Sequence, residues 1–212
     1  MIPDPLGDAS RWLRGGGLLG YPTETVWGLG ADATSDDAVT RLLRWKGRDE
    51  SAPLAILVEG PAELAELGFE PGPTVHRLAA LFWPGPLTLV IPCRRRFATG
   101  VAREDGAVGV RCSSHPLASA LARRLRADRV GPITATSLNQ SGKPAARSRA
   151  EAEALCGRAA GQPQLLDVKG AEAGGDAAST VVDLAARPPV VLRWGAVAAV
   201  VLEPVLADLA RT

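Results

Sequence analysis

The chain has 212 residues, of which 46% are hydrophobic and 22% charged, and its formal net charge is +1. That length fills one good-sized core and is marginal for two. The near-neutral balance excludes a chain coated in charge for nucleic acid or an anionic membrane surface, so any anion site must be a local cluster of Lys and Arg.

The N-terminal MIPDPLGDAS has acids and prolines but no basic start followed by an apolar run, so no secretory leader is expected. No run of about 18 apolar residues offers a bilayer span, and a cytoplasmic location is expected. Leu18–Tyr21 reads as a strand stopped by Pro22. Asp36–Trp45 reads as a helix, capped by Ser35 or Asp36, with Val39, Leu42 and Leu43 on one face. Pro53–Val58 is a short apolar run suited to a buried strand. Thr74–Phe82 is helical and stops before Trp83-Pro84-Gly85-Pro86. Leu87–Ile91 and Ala107–Val110 read as strands, and Pro116–Leu125 as a helix. Pro132–Ala135 is a short strand leading into a polar turn. A helix at Ala150–Leu155 and strands at Leu165–Val168, Thr180–Leu184 and Val190–Leu192 follow. Gly170–Ala178 reads as a mobile loop. Strands and helices alternate without strict βαβ order, which predicts an α/β fold: a single three-layer domain over 1–212 with a twisted mixed sheet.

Several familiar signals are missing or accidental. No GxxxxGK[ST] is present, so a P-loop is excluded. Gly15, Gly17 and Gly20 match GxGxxG but precede a strand, with no acidic residue placed for a ribose. His76 and His115 have no metal-ligand spacing and read as surface or packing residues. Cys93, Cys112 and Cys156 are far apart and form no CxxC pair, which favours reduced thiols over disulfides or a zinc knuckle. Ser137-Leu138-Asn139 resembles the SDN element of penicillin-binding enzymes, but SxxK and KTG are missing.

Other clusters fall where strands or helices end, the usual place for a site in an α/β sheet. YPTETVWGLG (21–30) puts hydroxyls and glycines after a proline stop; alone, it reads first as a plain polar turn. Lys46-Gly47-Arg48 ends a helix. Its cations either complement the helix dipole or converge on a polyphosphate. Arg111 leaves an apolar strand and needs an anion or an exit to water. TATSLNQSGKP (134–144) is dense in hydroxyls and amides. STVVD (179–183) opens a strand with hydroxyls, and Arg193 sits at another strand end. Three arginines and a lysine beside hydroxyl-rich turns point to a phosphate-bearing ligand.

In order, YPTETVWGLG, KGR, FWPGPLTLVIP, GVR, SLN, STVVD and LRWGAV resemble the YrdC-like family from about residue 17 to 197. The resemblance implies a concave, positively lined cavity. It also implies a threonylcarbamoyl-AMP synthase: L-threonine, bicarbonate and ATP give threonylcarbamoyl-AMP and pyrophosphate. ATP contacts would fall on Lys46, Arg48, Ser137, Asn139 and Arg193, and threonine contacts on Thr25, Arg111, Ala135 and Ser179. No catalytic base is assigned. Mg²⁺ would arrive on the triphosphate, since no carboxylate cluster offers a protein cage. A separate threonylcarbamoyl-transferase complex and contact with tRNA or double-stranded RNA are the implied partners. The resemblance is to the short form, without the additional C-terminal domain of longer relatives.

The chain departs from the family pattern at Trp27 (usually Tyr), Asp49 (Pro), Leu57 (His), Leu138 (Ala), Ala145 (Ser) and Trp194 (Pro). If Ser137–Asn139 is extended, Leu138 faces away from its polar neighbours and packs into protein. The departures leave open a non-catalytic relative that binds RNA or nucleotide. A carbamoyl-transfer role like that of hydrogenase-maturation proteins is disfavoured, because the chain has neither their length nor CxxC pairs.

Overall fold

The computed structural model describes residues 3–49, 53–157, 159 and 161–209. In chain order they form α1 (Pro5–Arg14), β1 (Leu19–Tyr21), β2 (Gly28–Gly30), α2 (Asp36–Lys46), β3 (Ile56–Leu57), α3 (Glu63–Glu66), α4 (Pro73–Phe82), β4 (Leu87–Pro92), β5 (Ala107–Arg111), α5 (Pro116–Ala127), β6 (Thr136–Ser137), α6 (Arg149–Leu155), β7 (Gln164–Leu165), β8 (Thr180–Asp183), β9 (Val190–Arg193) and α7 (Ala199–Leu209). None of these helices is long and apolar enough to cross a membrane.

Local chemistry sets the helix ends. Ser35 caps α2 by accepting from Ala38 N–H, and Gly47 closes it with a left-handed φ of 60°. Ser148 and Glu151 form a reciprocal capping box at α6. His115 caps α5: its Nδ1 accepts from Leu117 N–H, while Nε2 lies 2.9 Å from Glu172 O. These bonds give His115 a structural role, and His76 is exposed on α4.

The strands form two sheets, ordered β6-β2-β1-β7 and β3-β5-β4-β8-β9, and each mixes parallel with antiparallel pairs. The sequence predicts one mixed sheet. The structure divides it and joins the halves through residues 133–135. Ile133 bridges Asp32, Thr134 bridges Ile56, and Ala135 N–H donates to Ala55 O at 2.6 Å. The strand expected at Pro132–Ala135 is this crossing, which divides its bonds between two sheets; the ladder itself lies one step later, at Thr136–Ser137. The strand expected over 53–58 shortens to Ile56–Leu57, because Leu54 N–H bonds to the loop carbonyl of Gly100. Sequence reading missed α1, β2, α3 and α7. In β2 the residues are Gly-Leu-Gly, read as a turn. A Cβ on Gly28 would lie 2.8 Å from the Tyr21 ring, so the strand pairs closely with β1 only because it is glycine.

Two cores flank the sheets. Ile56 and Val58 enter the core that holds α2 and α4, whereas Leu57 enters the one that holds α1 and α5. This alternation on one short strand, with helices on both sides, is the three-layer α/β arrangement.

Candidate active site

Between the two sheets lies a cavity of about 330 Å³. Its floor is one row of the five-stranded sheet. Leu57 pairs with Arg111, Arg111 with Thr88, Thr88 with Val181, and Val181 with Arg193. All five side chains line the cavity, because residues level with one another on neighbouring strands share a face. At the outer end a register shift between Val181 and Val182 leaves Leu192 as the extra residue on β9. The bulge keeps Arg193 on the cavity side. Thr23, Trp27, Gly28 and Ser137 supply the opposite wall.

Arg111 forms one corner. Its Nη2 donates to Thr25 Oγ1 at 2.6 Å and lies 3.0 Å from Glu24 Oε1. That ion pair is close but off the hydrogen-bond direction, so among the described residues Glu24 Oε1 has no directed donor and neither Arg111 Nε nor Trp27 Nε1 has an acceptor. Burial raises the Glu24 pKa, but the Arg111 charge and the Ser113 hydroxyl outweigh it and hold the carboxyl below its usual range. A buried guanidinium with an unsatisfied N–H is prepared for a further anion. Ser179 completes this corner through a 2.8 Å hydroxyl contact with Thr88.

The second corner is cationic. Arg193 donates from Nε and Nη2 to Ser179 O at 3.1 and 2.8 Å. Burial first, then the Arg111 and Arg48 charges, lowers its proton affinity. Arg48 also lines the cavity, with its proton affinity lowered by burial. Positive charge is thus concentrated where water is scarce, an arrangement that favours a polyanion. No group of three or more His, Cys, Asp or Glu among the described residues could hold a metal.

Of the nine residues predicted from sequence, Arg48, Arg111, Ala135, Ser137, Ser179 and Arg193 line the cavity. Thr25, Lys46 and Asn139 stand behind them. Thr25 is buried against Arg111, and it is Thr23, with Oγ1 2.8 Å from Thr25 Oγ1, that faces the cavity. Lys46 turns its ammonium under the Ser137–Asn139 loop. Leu138 is fully buried in the core and is no part of the cavity wall. Thr23 and Glu24 fall within the YPTETVWGLG cluster but carried no assigned role, and Thr88 and Arg103 were not singled out from sequence. Thr88 was findable as the polar residue two before Val90 on the same strand face; Arg103, paired with Asp183 from a loop, left no pattern. Segment 170–178 has no regular structure, as expected, yet it is tied down: Gly174 N–H donates to Thr23 O at 2.9 Å and Ala171 is buried.

The family model for Sua5, YciO and YrdC, described as telomere recombination, matches residues 11–195. The chain belongs to this family. A threonylcarbamoyl-AMP synthase of Pyrococcus abyssi is 36% identical over 95% of the chain, and the match spans 57% of that relative's length. The Chromohalobacter salexigens threonylcarbamoyl-AMP synthase is 39% identical over 85% of the chain and 93% of its own length. Among solved structures, P. abyssi Sua5 complexed with L-threonine superposes with a TM-score of 0.84 at 33% identity, covering 97% of this chain and 58% of that one. The Sua5–YciO–YrdC fold thus accounts for both sheets and the cavity between them.

Proposed function

We propose that the chain is a threonylcarbamoyl-AMP synthase, a nucleotidyl-transferring enzyme that consumes L-threonine, bicarbonate and ATP as its magnesium complex. The observation that carries this reading is the pairing, in one cavity, of the Arg111–Ser179 corner with the Arg48–Arg193 cations. The first suits an amino-acid carboxylate, which the arginine can fork. The second suits a polyphosphate. The fold neighbour that holds L-threonine supports the amino acid as a substrate.

The chemistry begins as the threonine amine attacks bicarbonate carbon; water leaves and a carbamate forms. A carbamate oxygen then attacks the α-phosphorus, and the bond to the bridging oxygen breaks, so pyrophosphate departs with the electron pair. Such a transfer relies on alignment and charge stabilisation more than on a protein nucleophile. Arg111, Thr23 and Ser179 orient threonine; Arg48, Arg193 and Ser137 hold the nucleotide. The mixed anhydride is prone to hydrolysis, so the enclosed shape also shields the product. The adenylate would pass to a separate transferase complex acting on tRNA, with RNA contact made outside the cavity.

Mass-spectrometric detection of the adenylate, with pyrophosphate release dependent on both threonine and bicarbonate, tests the reading. Leu57, apolar in the cavity floor beside Arg111, favours a second reading in which nucleotide or RNA is bound without chemistry. Saturable ATP binding with no adenylate under any condition would select it.

A further inference from the structure

Lys46 is the last residue of α2 and only 2% exposed. Its ammonium has three N–H bonds, and three oxygens of one loop surround it: Ser137 O at 2.6 Å, Asn139 O at 2.9 Å and Asn139 Oδ1 at 3.0 Å. The Lys46 carbonyl also accepts from Ser141 N–H at 2.7 Å. Asn139 Oδ1 takes a second bond from Ser137 Oγ at 2.6 Å, and Asn139 Nδ2 donates to Lys143 O. Lys46 forms no salt bridge among the described residues. Gly47 then reverses the chain, and Arg48, the other cation of the Lys-Gly-Arg triplet, comes to line the cavity.

The two cations of this triplet therefore do different work. A buried ammonium is tolerated when its donors are satisfied, and reaching a phosphate would break a bond already made. We infer that Lys46 is a positioning residue: it makes no contact with the nucleotide, and instead cross-links the end of α2 to the Ser137–Asn139 loop and acts on the ligand only through that loop, where Asn139 Oδ1 fixes the hydroxyl of the cavity-lining Ser137. Its lowered pKa, about 8 and due to burial first and Arg48 second, fits an ammonium held by neutral oxygens. The functional half of this inference rests on the nucleotide reading above; the cross-link itself does not.

Double-mutant cycles in the full chain test both halves. Without ligand, Lys46→Met and Asn139→Ala together should lower the melting temperature by clearly less than the sum of the single changes. With ATP, Lys46→Met should weaken affinity about tenfold, on the scale of one hydrogen bond to a charged group, and this loss should vanish when Ser137 and Asn139 are already alanine. An undiminished tenfold loss in that background overturns the inference, as does additivity of Lys46→Met with Asn139→Ala in melting. If the wild type takes no ATP, the nucleotide reading falls, and the melting cycle alone decides the cross-link. Should Lys46→Met fail to fold, Lys46→Gln, which keeps two donors without charge, runs the same cycles.

Discussion

Arg48 and Leu138 both come from sequence motifs, yet the structure sends them to opposite environments: one lines the cavity and the other is fully buried in the core. Arg48→Ala removes a charge from the anion corner, so turnover should fall about 10²-fold with an unchanged melting temperature. Steady-state pyrophosphate release and a thermal melt check the two halves, and near-normal turnover removes Arg48 from the site. Leu138→Ala should behave in reverse. It leaves a core cavity that costs about 2–5 kcal/mol, and the ATP KM changes less than threefold, since no cavity atom is lost. Thr25→Val is a subtler change. It keeps the side-chain shape but removes the oxygen that accepts from Arg111 at 2.6 Å. The threonine KM should rise about tenfold or more, with ATP affinity unaltered, because the guanidinium loses the bond that aims it. A parallel loss for ATP would place Thr25 elsewhere in the mechanism.

At the scale of elements, the end of β9 is held by a close approach of backbones. A Cβ on Gly195 would lie 2.2 Å from Ala178 O and 2.6 Å from Ser179 C. Gly195→Ala must therefore push β9 away from the chain that carries Ser179, and Arg193 moves with it. Threonine and ATP affinities should fall together, a joint loss that neither Arg193→Ala nor Ser179→Ala alone needs to produce; titration of each ligand by calorimetry reads it. This region also marks how far sequence reading reached. Helix α2 was legible because Ser35, the apolar face and Gly47 all agree. The strand ladders β4, β5 and β8 were legible as apolar runs. β2 was not, since Gly-Leu-Gly has turn composition and becomes a strand only by pairing with β1. Helix α7 (Ala199–Leu209) was hidden by Pro204 inside it. Six of the nine residues expected at the site line the cavity wall, while Thr25, Lys46 and Asn139 are not among its lining residues. Motif order reveals which residues gather at a site; which of them face the ligand depends on side-chain direction, which only the packed structure sets.

For the whole molecule, Glu24 and Arg111 matter because they join the two sheets: Glu24 lies in the β1–β2 connection and Arg111 ends β5. The folded Glu24 pKa is lowered from the usual 4.5, so over the interval between the two values the unfolded chain binds more protons. Stability from this pair is therefore fully present above the unfolded value and is lost as pH falls through the folded one. Denaturant midpoints measured from about pH 6 down to pH 3 should fall less steeply for Glu24→Gln than for the wild type; identical slopes would deny the pair this role. The row Leu57, Arg111, Thr88, Val181 and Arg193 has a wider consequence. Its members come from five strands scattered from the first third of the chain to its end, so no fragment and no partly frayed state contains the floor. Substrate affinity is then a gauge of global order. At a hundredfold excess over Kd, ATP should add about 2.7 kcal/mol to unfolding of the whole sheet in one cooperative step, and a protease should find every strand protected together or none.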